Sequence, residues 1–522
     1  MSESTVESVS LKARVSVAGA LLGAFMAVLN IQVVNTSLPD IQGGIGTGLD
    51  NGGWISTAYL IGEIIVIPLS GWLMGVFSLR RYLITNTILF LFFSAACGLV
   101  SNFPEMVVLR ALQGFSGGVL IPLSLVCVIT LLPERARPLG FSMFALTATF
   151  APAIGPTVGG WITDEYGWRY IFFLNLVPGA AMLPALFWGL KREPMHLDRL
   201  WRGDWFGVFT MALGLGALQT VLEEGNKDDW FGSSFITRLS IISFVSLSLF
   251  LFQEFRPGNK APLVNLRLLT RWNFCFSTIA NFMLGFVLYA AVYLIPLYLA
   301  EAHGYSARQS GLVMAWIGLP QLLIIPCMPW LMRRIDPRRL LSFGFLMFFI
   351  SLLMNLNLGP NDSGPQLLIP NLIRAVGQAM VFPPITMIAT AGISAADAGS
   401  ASALFNMLRN LGGAVGIATV ETFVTNREKF HSFIINQHVS LLEPATRERL
   451  AALQQYFQTH GLANAGSARQ QAIVQLWNTL RQQANYFAYG DAFGLLAAGM
   501  LVAFLASLCI RRITGRAAPG GH

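Results

Sequence analysis

Long apolar runs separated by short polar loops dominate the pattern of hydrophobic and polar positions in this chain. A helix needs about 20 apolar residues, each rising about 1.5 Å, to cross roughly 30 Å of hydrocarbon. The pattern therefore predicts an all-α membrane protein with about fourteen spans of roughly 20 to 26 residues. The predicted spans begin near Val15, Trp54, Tyr82, Met106, Leu139, Tyr170, Trp205, Ile236, Phe274, Gln309, Leu340, Gln366, Ser400 and Gly490.

The composition agrees with this pattern. The chain has 522 residues, of which 54% are hydrophobic and 11% charged, and its mean hydropathy is +0.59. These values are typical of integral membrane proteins and not of water-soluble globular ones. The five cysteines all lie in apolar stretches, so the sequence gives no sign of a disulfide framework.

Basic residues gather in alternate loops, and this bias predicts the orientation of the chain. Cytoplasmic loops retain Lys and Arg, and an inside N-terminus places pairs such as 80–81 and 333–334 on the inner side. We therefore predict that both termini are cytoplasmic. The inner loops also account for the net charge of +8, so binding to nucleic acid is not expected.

Two stretches of the sequence resemble each other and indicate an internal repeat. VVLRALQGFSGGVLIPLS at 107–124 has an echo in NLIRAVGQAMVFPPITMI at 371–388. Duplicated bundles around a central site are typical of secondary transporters. We predict one six-helix bundle at 12–192, a second at 270–511, and an inserted pair of helices at 205–255.

The segment 425–489 is the only sizeable polar piece of the chain. Its apolar residues recur at helical spacing, so we predict two amphipathic helices in an outer (periplasmic) loop. Two interpretations remain open. The segment is either a solvated hairpin lying on the membrane or a docking surface for a partner protein.

Motifs for ATP hydrolysis and for catalysis are missing from the sequence. A Walker A loop requires Gly directly before Lys, and no lysine in this chain follows a glycine. The histidines lie in loops, span ends or the tail, so a metal cluster is not expected. The sequence shows no Ser/His/Asp or Cys/His arrangement that would indicate a catalytic nucleophile with its base. We therefore expect neither an enzyme nor a bound cofactor.

Arg110 lies inside an apolar span, where a charge costs roughly 2.5 to 3.5 kcal/mol. At helical spacing it shares a face with Gln113. In the repeat, Arg374 occupies the matching depth, with Gln378 one turn further on. We expect these faces to point into the bundle. The alternative is that Arg110 extends its guanidinium to the lipid headgroups.

Glu63 is the only acid deep within a predicted span, near the bilayer midplane. It shares a polar stripe with Ser56 and Tyr59. Burial favours the neutral acid and a nearby Arg110 favours the charged form, so we predict that Glu63 carries a coupling proton and that Arg110 tunes its release. The alternative is a structural carboxyl, held by hydrogen bonds or an ion pair.

A substrate cavity is expected where the two bundles meet. Phe, Met and Trp side chains lining this cavity would suit bulky amphipathic substrates. The sequence leaves open whether the preferred substrate is positively or negatively charged. The polar residues predicted to line this cavity are Asn30, Asn35, Tyr59, Gln113, Arg374 and Gln378.

Glycines and prolines gather in the fifth and thirteenth predicted spans. A helix in lipid tolerates them where neighbouring helices satisfy its backbone, which favours kinked, closely packed gating helices over a plain packing face. The predicted gating and packing residues are Pro152, Gly155, Pro156, Gly159, Gly160, Gly412, Gly413 and Gly416.

Three motifs resemble signatures of the major facilitator superfamily. They are LRALQG in the fourth span, APAIGPTVGG in the fifth, and GWLMGVFSLRR after the second, with Gly71, Arg80 and Arg81 in place. With fourteen spans and VVNTSLPDI in the first, the chain resembles the fourteen-span drug:proton antiporters of the EmrB/QacA type. Three positions depart from the family pattern, because Asn30 and Gln32 stand where an acid and a threonine are usual and Gly75 stands where an aspartate is usual.

The resemblance implies the major facilitator fold and a proton-coupled multidrug efflux antiporter of the bacterial inner membrane. Such a protein would export lipophilic or amphipathic compounds by alternating access, with the proton as coupling ion. The resemblance also implies a periplasmic adaptor (EmrA-like) and an outer-membrane channel (TolC-like), with 425–489 as the expected contact. The open alternatives are a dedicated exporter or facilitator of one fatty acid, siderophore or sugar, and a membrane sensor or scaffold without transport.

Overall fold

The computed structural model of the chain describes residues 9–48, 51–256, 262–395, 397–460 and 464–512. These residues are almost entirely helical and contain no β-strand. The α-helices, in chain order, are α1 (Leu11–Thr36), α2 (Leu38–Ile45), α3 (Trp54–Phe77), α4 (Leu79–Leu99), α5 (Phe103–Gly117), α6 (Leu120–Leu131), α7 (Arg137–Tyr166), α8 (Tyr170–Phe173), α9 (Leu176–Gly189), α10 (Asp198–Trp201), α11 (Trp205–Glu224), α12 (Ser234–Phe255), α13 (Trp272–His303), α14 (Ala307–Arg334), α15 (Pro337–Leu353), α16 (Leu368–Thr390), α17 (Ala398–Gln437), α18 (Pro444–Thr459) and α19 (Ala465–Leu508).

Twelve helical segments among the described residues are long and apolar enough to cross a membrane. Helices α15 and α17 occupy the other two positions where the sequence predicts a span, and neither meets both conditions. Helix α15 is only 17 residues long, whereas α17 is 40 residues long and carries many small and polar side chains. The chain is thus a multi-pass membrane protein, and the count of fourteen spans stays a prediction.

The fourth predicted span is broken near its middle. Helix α5 ends at Gly117, and α6 begins at Leu120. Pro122 lies in the first turn of α6, where its missing N–H leaves the carbonyl of Gly118 without the usual helical partner. Two adjacent glycines and a proline four residues later explain this interruption of the helical hydrogen bonding, while the backbone at Gly118 and Val119 keeps helical dihedral angles.

The described residues of the segment 425–489 are mostly helical but do not form the predicted pair of separate helices. Helix α17 continues to Gln437, and α19 begins at Ala465 and runs on into the last predicted span. Only α18 stands as a separate helix. The described sequence between Ala465 and Leu508 contains no proline, so nothing in it forces the helix to stop at the membrane surface.

Two groups of helices meet along the middle of the molecule. In the first group α1 packs against α6, α7 and α9, and in the second α13 packs against α17 and α19. The groups touch where α7 lies along α14 and where α3 lies along α17. Helix α11 of the inserted pair packs against both α3 and α17, so it borders the line along which the two groups meet.

Candidate functional site

A cavity of about 460 Å³ lies between the two groups of helices. Following the predicted orientation, the outer end is the end that holds Asn35 and Glu224, and the inner end is the end that holds Arg135 and Arg333. The cavity begins at the outer end and reaches down to Glu63. Its wall is formed by α1, α3, α11, α13 and α17. The polar and aromatic lining residues are Gln32, Asn35, Ser56, Thr57, Glu63, Gln219, Glu223, Glu224, Lys227, Tyr289, Tyr293, Asn410 and Glu421.

The floor of the cavity joins the two groups of helices through Glu63 of α3. Asn410 of α17 donates a hydrogen bond from Nδ2 to Glu63 Oε1 at 2.8 Å. Glu63 is 3% exposed, and its Oε2 has no hydrogen-bond partner among the described residues. A buried carboxylate with one unused oxygen is costly unless it is protonated or meets another donor. Glu63, which the sequence predicts to lie on a polar stripe of its helix, therefore lies where the two groups of helices meet.

Arg110 lies inside the first group of helices, 1% exposed, and does not reach the lipid headgroups. Its Nε donates to the carbonyl of Ile55 at 3.1 Å. Its Nη1 donates to Asn30 Oδ1 at 2.9 Å and to Gln113 Oε1 at 2.8 Å. The guanidinium also stands 4.3 Å from the ring centre of Tyr59. Arg110 and Arg409 of α17, which is also 1% exposed, both lie near Glu63.

The second group of helices holds Arg374 in a comparable interior position. Arg374 is 1% exposed, donates to the carbonyl of Leu288 at 3.4 Å, and stands 5.1 Å from the ring centre of Phe348. Gln378 accepts a hydrogen bond from Gln321 at 2.8 Å. These side chains pack within their own group and do not line the cavity.

The structure thus separates the residues that the sequence predicts to line the cavity. Asn35 lines it and accepts a hydrogen bond from Ser56 at 2.6 Å. Five others lie behind the cavity wall: three contact Arg110, and the other two are Arg374 and its helix neighbour Gln378. These five are Asn30, Tyr59, Gln113, Arg374 and Gln378.

Three acids at the outer part of the cavity were not anticipated from the sequence. Glu223 and Glu224 end α11, and Glu421 lies on α17. Glu224 accepts a hydrogen bond from Thr57 Oγ1 at 2.9 Å and pairs with Lys227 at 3.3 Å. The sequence does show two adjacent acids at the end of an otherwise apolar span. Because the ends of spans usually meet water, acids at such positions do not by themselves indicate a cavity.

The glycines of the fifth and thirteenth predicted spans mark places where helices approach closely. A Cβ at Gly159 of α7 would lie 2.9 Å from the carbonyl oxygen of Val33 in α1. A Cβ at Gly155 would overlap Gln32. On α17, a Cβ at Gly412 or Gly416 would overlap the backbone of α13. Pro152 and Pro156 lie inside α7, beside Gly155, Gly159 and Gly160, and all five are buried. Gly413 faces the ring of Tyr289.

At the inner end the two groups of helices are in contact. A Cβ at Gly71 of α3 would lie 2.9 Å from the carbonyl carbon of Gly399 in α17. Nearby, Ser402 Oγ donates to the carbonyl of Pro122 at 2.7 Å. The cavity therefore opens on the outer side and is closed on the inner side.

Both arginines of the loop motif after α3 bind backbone carbonyls at the end of α9 and in the chain that follows it. Arg80 donates to the carbonyls of Phe187 and Leu190 at 2.8 and 3.1 Å. Arg81 donates to the carbonyl of Glu193 at 3.2 Å. At Gly75, where the family usually has an aspartate, the carbonyl accepts a hydrogen bond from Arg199 at 3.4 Å.

Comparisons with known proteins agree with this architecture. Residues 20–417 match the family profile described as Major Facilitator Superfamily. The "Colistin resistance protein EmrB" of Acinetobacter baumannii is 31% identical over 489 residues, which cover 94% of each chain. The "Multidrug export protein EmrB" of Escherichia coli K12 is 30% identical over 482 residues, 92% of each chain. The "Fatty acid resistance protein FarB" of Neisseria gonorrhoeae is 30% identical over 502 residues, 96% of each chain.

Two solved structures share the fold. The human organic anion transporter MFSD10 superposes with a TM-score of 0.57 at 15% identity, covering 94% of this chain and 99% of the other. The proton:xylose symporter XylE superposes with a TM-score of 0.58 at 16% identity, covering 95% and 96%. At such low identity the likeness shows the fold and not the transported compound.

Proposed function

The chain belongs to the major facilitator superfamily and is a transporter of the EmrB type, not an enzyme, and from this we propose that it is a proton-coupled exporter of lipophilic and amphipathic compounds. It works by alternating access in the inner membrane of a bacterium. Glu63 carries the proton, and Arg110 and Arg409 set how readily the proton is released. The proton is the only coupling species that the proposal requires.

The observation that carries this proposal is the position of Glu63. Its carboxyl is buried, lines a cavity that is open on one side only, and bonds across the junction of the two helix groups to Asn410. A carboxyl placed there can bind a proton from one side and lose it to the other when the groups rock. Each charge that crosses 100 mV releases about 2.3 kcal/mol, which supports roughly fifty-fold accumulation.

Transport by the purified protein in liposomes tests the proposal. A pH gradient is imposed, and the flux of cationic, neutral and anionic amphiphiles is followed. We expect gradient-driven flux of several compounds, and its loss in Glu63→Gln. Glu165→Gln removes the same charge from an exposed position on α7 and serves as the matched control. Full coupled flux in Glu63→Gln, or no gradient-driven flux in the unaltered protein, would contradict the proposal.

A dedicated exporter of one endogenous compound is the second candidate. The observation in its favour is the relative named for fatty acid resistance, which is as similar as the multidrug exporters. The same panel separates the two functions. A multidrug exporter carries several unrelated compounds, whereas a dedicated exporter shows a single narrow hit.

We also propose that residues 425–489 contact a periplasmic adaptor that leads to an outer-membrane channel. Large apolar side chains lie exposed along this segment, including Phe433, Leu442, Tyr456 and Trp477. Exposed apolar surface of this kind marks a protein or membrane contact. Photo-crosslinking from Trp477 in intact cells tests the proposal, since an adaptor predicts a discrete protein adduct and a membrane contact predicts lipid adducts only.

A further inference from the structure

Helix α11 of the inserted pair forms one wall of the cavity. Its outer end and the turn that follows contribute Gln219, Glu223, Glu224 and Lys227 to the lining. Thr57 of α3 donates to Glu224 at 2.9 Å and fixes α11 to the first group of helices. The inserted pair is therefore placed to take part in transport, and is not a separate addition at the periphery.

A second bond fixes the inserted pair to the other group of helices. Trp230, in the turn after α11, donates from Nε1 to Thr422 Oγ1 at 3.0 Å. Thr422 follows Glu421 directly on α17, so this bond also places Glu421 opposite α11. Glu223 and Glu421 consequently lie within electrostatic range of each other.

The charges of the lining are unbalanced. Lys227 pairs with Glu224 at 3.3 Å. For Glu63, Glu223 and Glu421, by contrast, the described part of the chain shows no ion pair. Glu223 accepts one hydrogen bond, from Gln219 at 2.9 Å. Glu223 and Glu421 therefore face the cavity without a matching positive side chain, whereas Glu63 has Arg110 and Arg409 nearby. Two unmatched carboxyl groups are costly unless protons or a bound cation offset them.

A further feature of the cavity points to a bound ligand. Glu63, at the floor, is 97% buried and keeps Oε2 without a hydrogen-bond partner among the described residues. Tyr289 and Tyr293 of α13 line the same space. Tyrosine rings attract cations through their faces and pack against apolar groups. The lining thus combines unmatched carboxyls with aromatic surface.

We propose that Glu223 of α11 and Glu421 of α17 form the binding site for the positively charged group of exported compounds, whose apolar part lies against Tyr289 and Tyr293. The inserted pair of helices thereby determines whether the transporter accepts compounds of positive or negative charge. This inference rests on the proposed export function. A bound cation takes the place of protons on these two carboxyls, while Glu63 at the floor remains the carboxyl that carries the coupling proton.

Equilibrium binding of tetraphenylphosphonium and tetraphenylborate to the purified protein tests the inference. The two probes have nearly the same shape and opposite charge. We expect Glu223→Gln and Glu421→Gln each to weaken tetraphenylphosphonium binding about tenfold, because each removes one near charge, and not to weaken tetraphenylborate binding. Glu165→Gln, exposed on α7 and outside the cavity, is the control and should leave both affinities unchanged.

Equal losses for both probes in the cavity variants, or no loss for the phosphonium, would overturn the inference. Glu223→Asp keeps the charge and should retain at least part of the phosphonium affinity, which separates a role of the charge from misfolding. Binding is measured without a proton gradient. A failure of this site therefore leaves gradient-driven export intact, and a failure of export leaves the binding result standing.

Discussion

Asn410 of α17 donates a hydrogen bond to Glu63 of α3 at 2.8 Å, and this bond links two helices that belong to different halves of the predicted repeat. It lies at the floor of the cavity. The protonation state of Glu63 is thus connected directly to the contact between the two groups of helices. A carboxylate accepts this bond more strongly than a carboxylic acid does, so protonation weakens the contact.

Replacing Asn410 with leucine removes the donor and leaves Glu63 Oε1 without this partner. A hydrogen bond to a charged group contributes about 1.5 to 3 kcal/mol, so we expect coupled flux to fall about tenfold or more. Flux in liposomes under an imposed pH gradient measures the effect. Asn436→Leu, on an exposed part of the same helix, is the control. Unchanged flux in Asn410→Leu would show that the bond is dispensable.

The helices and the buried charges could be predicted from the sequence because both depend on local pattern. Apolar runs locate most of the spans, and the three-residue spacing of Arg110 and Gln113 correctly places both on one interior face. Asn30 could be noticed only as a departure from a family motif. The structure shows that its side-chain oxygen accepts a hydrogen bond from Arg110.

The acidic wall of the cavity could not be predicted in the same way, because it depends on which helices meet. Glu223 and Glu421 lie far apart in the sequence, and neither span shows by itself that the two acids face one cavity. Arg374 and Gln378 show the same dependence on which helices meet. Their match to Arg110 and Gln113 in the repeat suggested the cavity, whereas the structure packs them inside the second group of helices.

Arg110→Lys should destabilise the protein. Lysine lacks the planar guanidinium group whose N–H donors reach Ile55, Asn30 and Gln113 at the same time. Each buried acceptor left without a donor costs about 1 to 3 kcal/mol, so we expect a lower unfolding temperature in detergent, by at least a few degrees. Arg308→Lys, at an exposed position, is the control. Equal unfolding temperatures in the two variants would contradict the structural role of the guanidinium.

Asp336, in the loop between α14 and α15, gives a prediction on pH. Arg338 donates to its carboxylate at 2.9 Å and holds the pKa of Asp336 below its usual value. A depressed pKa contributes stability above the unfolded value of about 3.9, and this contribution is lost as the pH falls through the folded pKa. Asp336→Asn should therefore lower the unfolding temperature at neutral pH, and the difference should shrink below about pH 4. Asp164→Asn, exposed on α7, should show no such convergence.

Gly71→Ala should shift the protein away from the conformation that is closed on the inner side. The added Cβ would lie 2.9 Å from the carbonyl carbon of Gly399 and 3.1 Å from the amide nitrogen of Ser400. These atoms belong to backbone and cannot rotate away, so α3 and α17 must separate at the inner end. We expect a cysteine introduced at Ser402 to react faster with a water-soluble maleimide from the inner side.

Gly75→Ala is the control for this prediction. Gly75 lies one turn further on the same helix, where a Cβ would meet Arg199 at an ordinary 3.5 Å, so this variant should leave the reaction rate unchanged. Equal rates in the two alanine variants would show that the close approach at Gly71 does not hold the inner side shut.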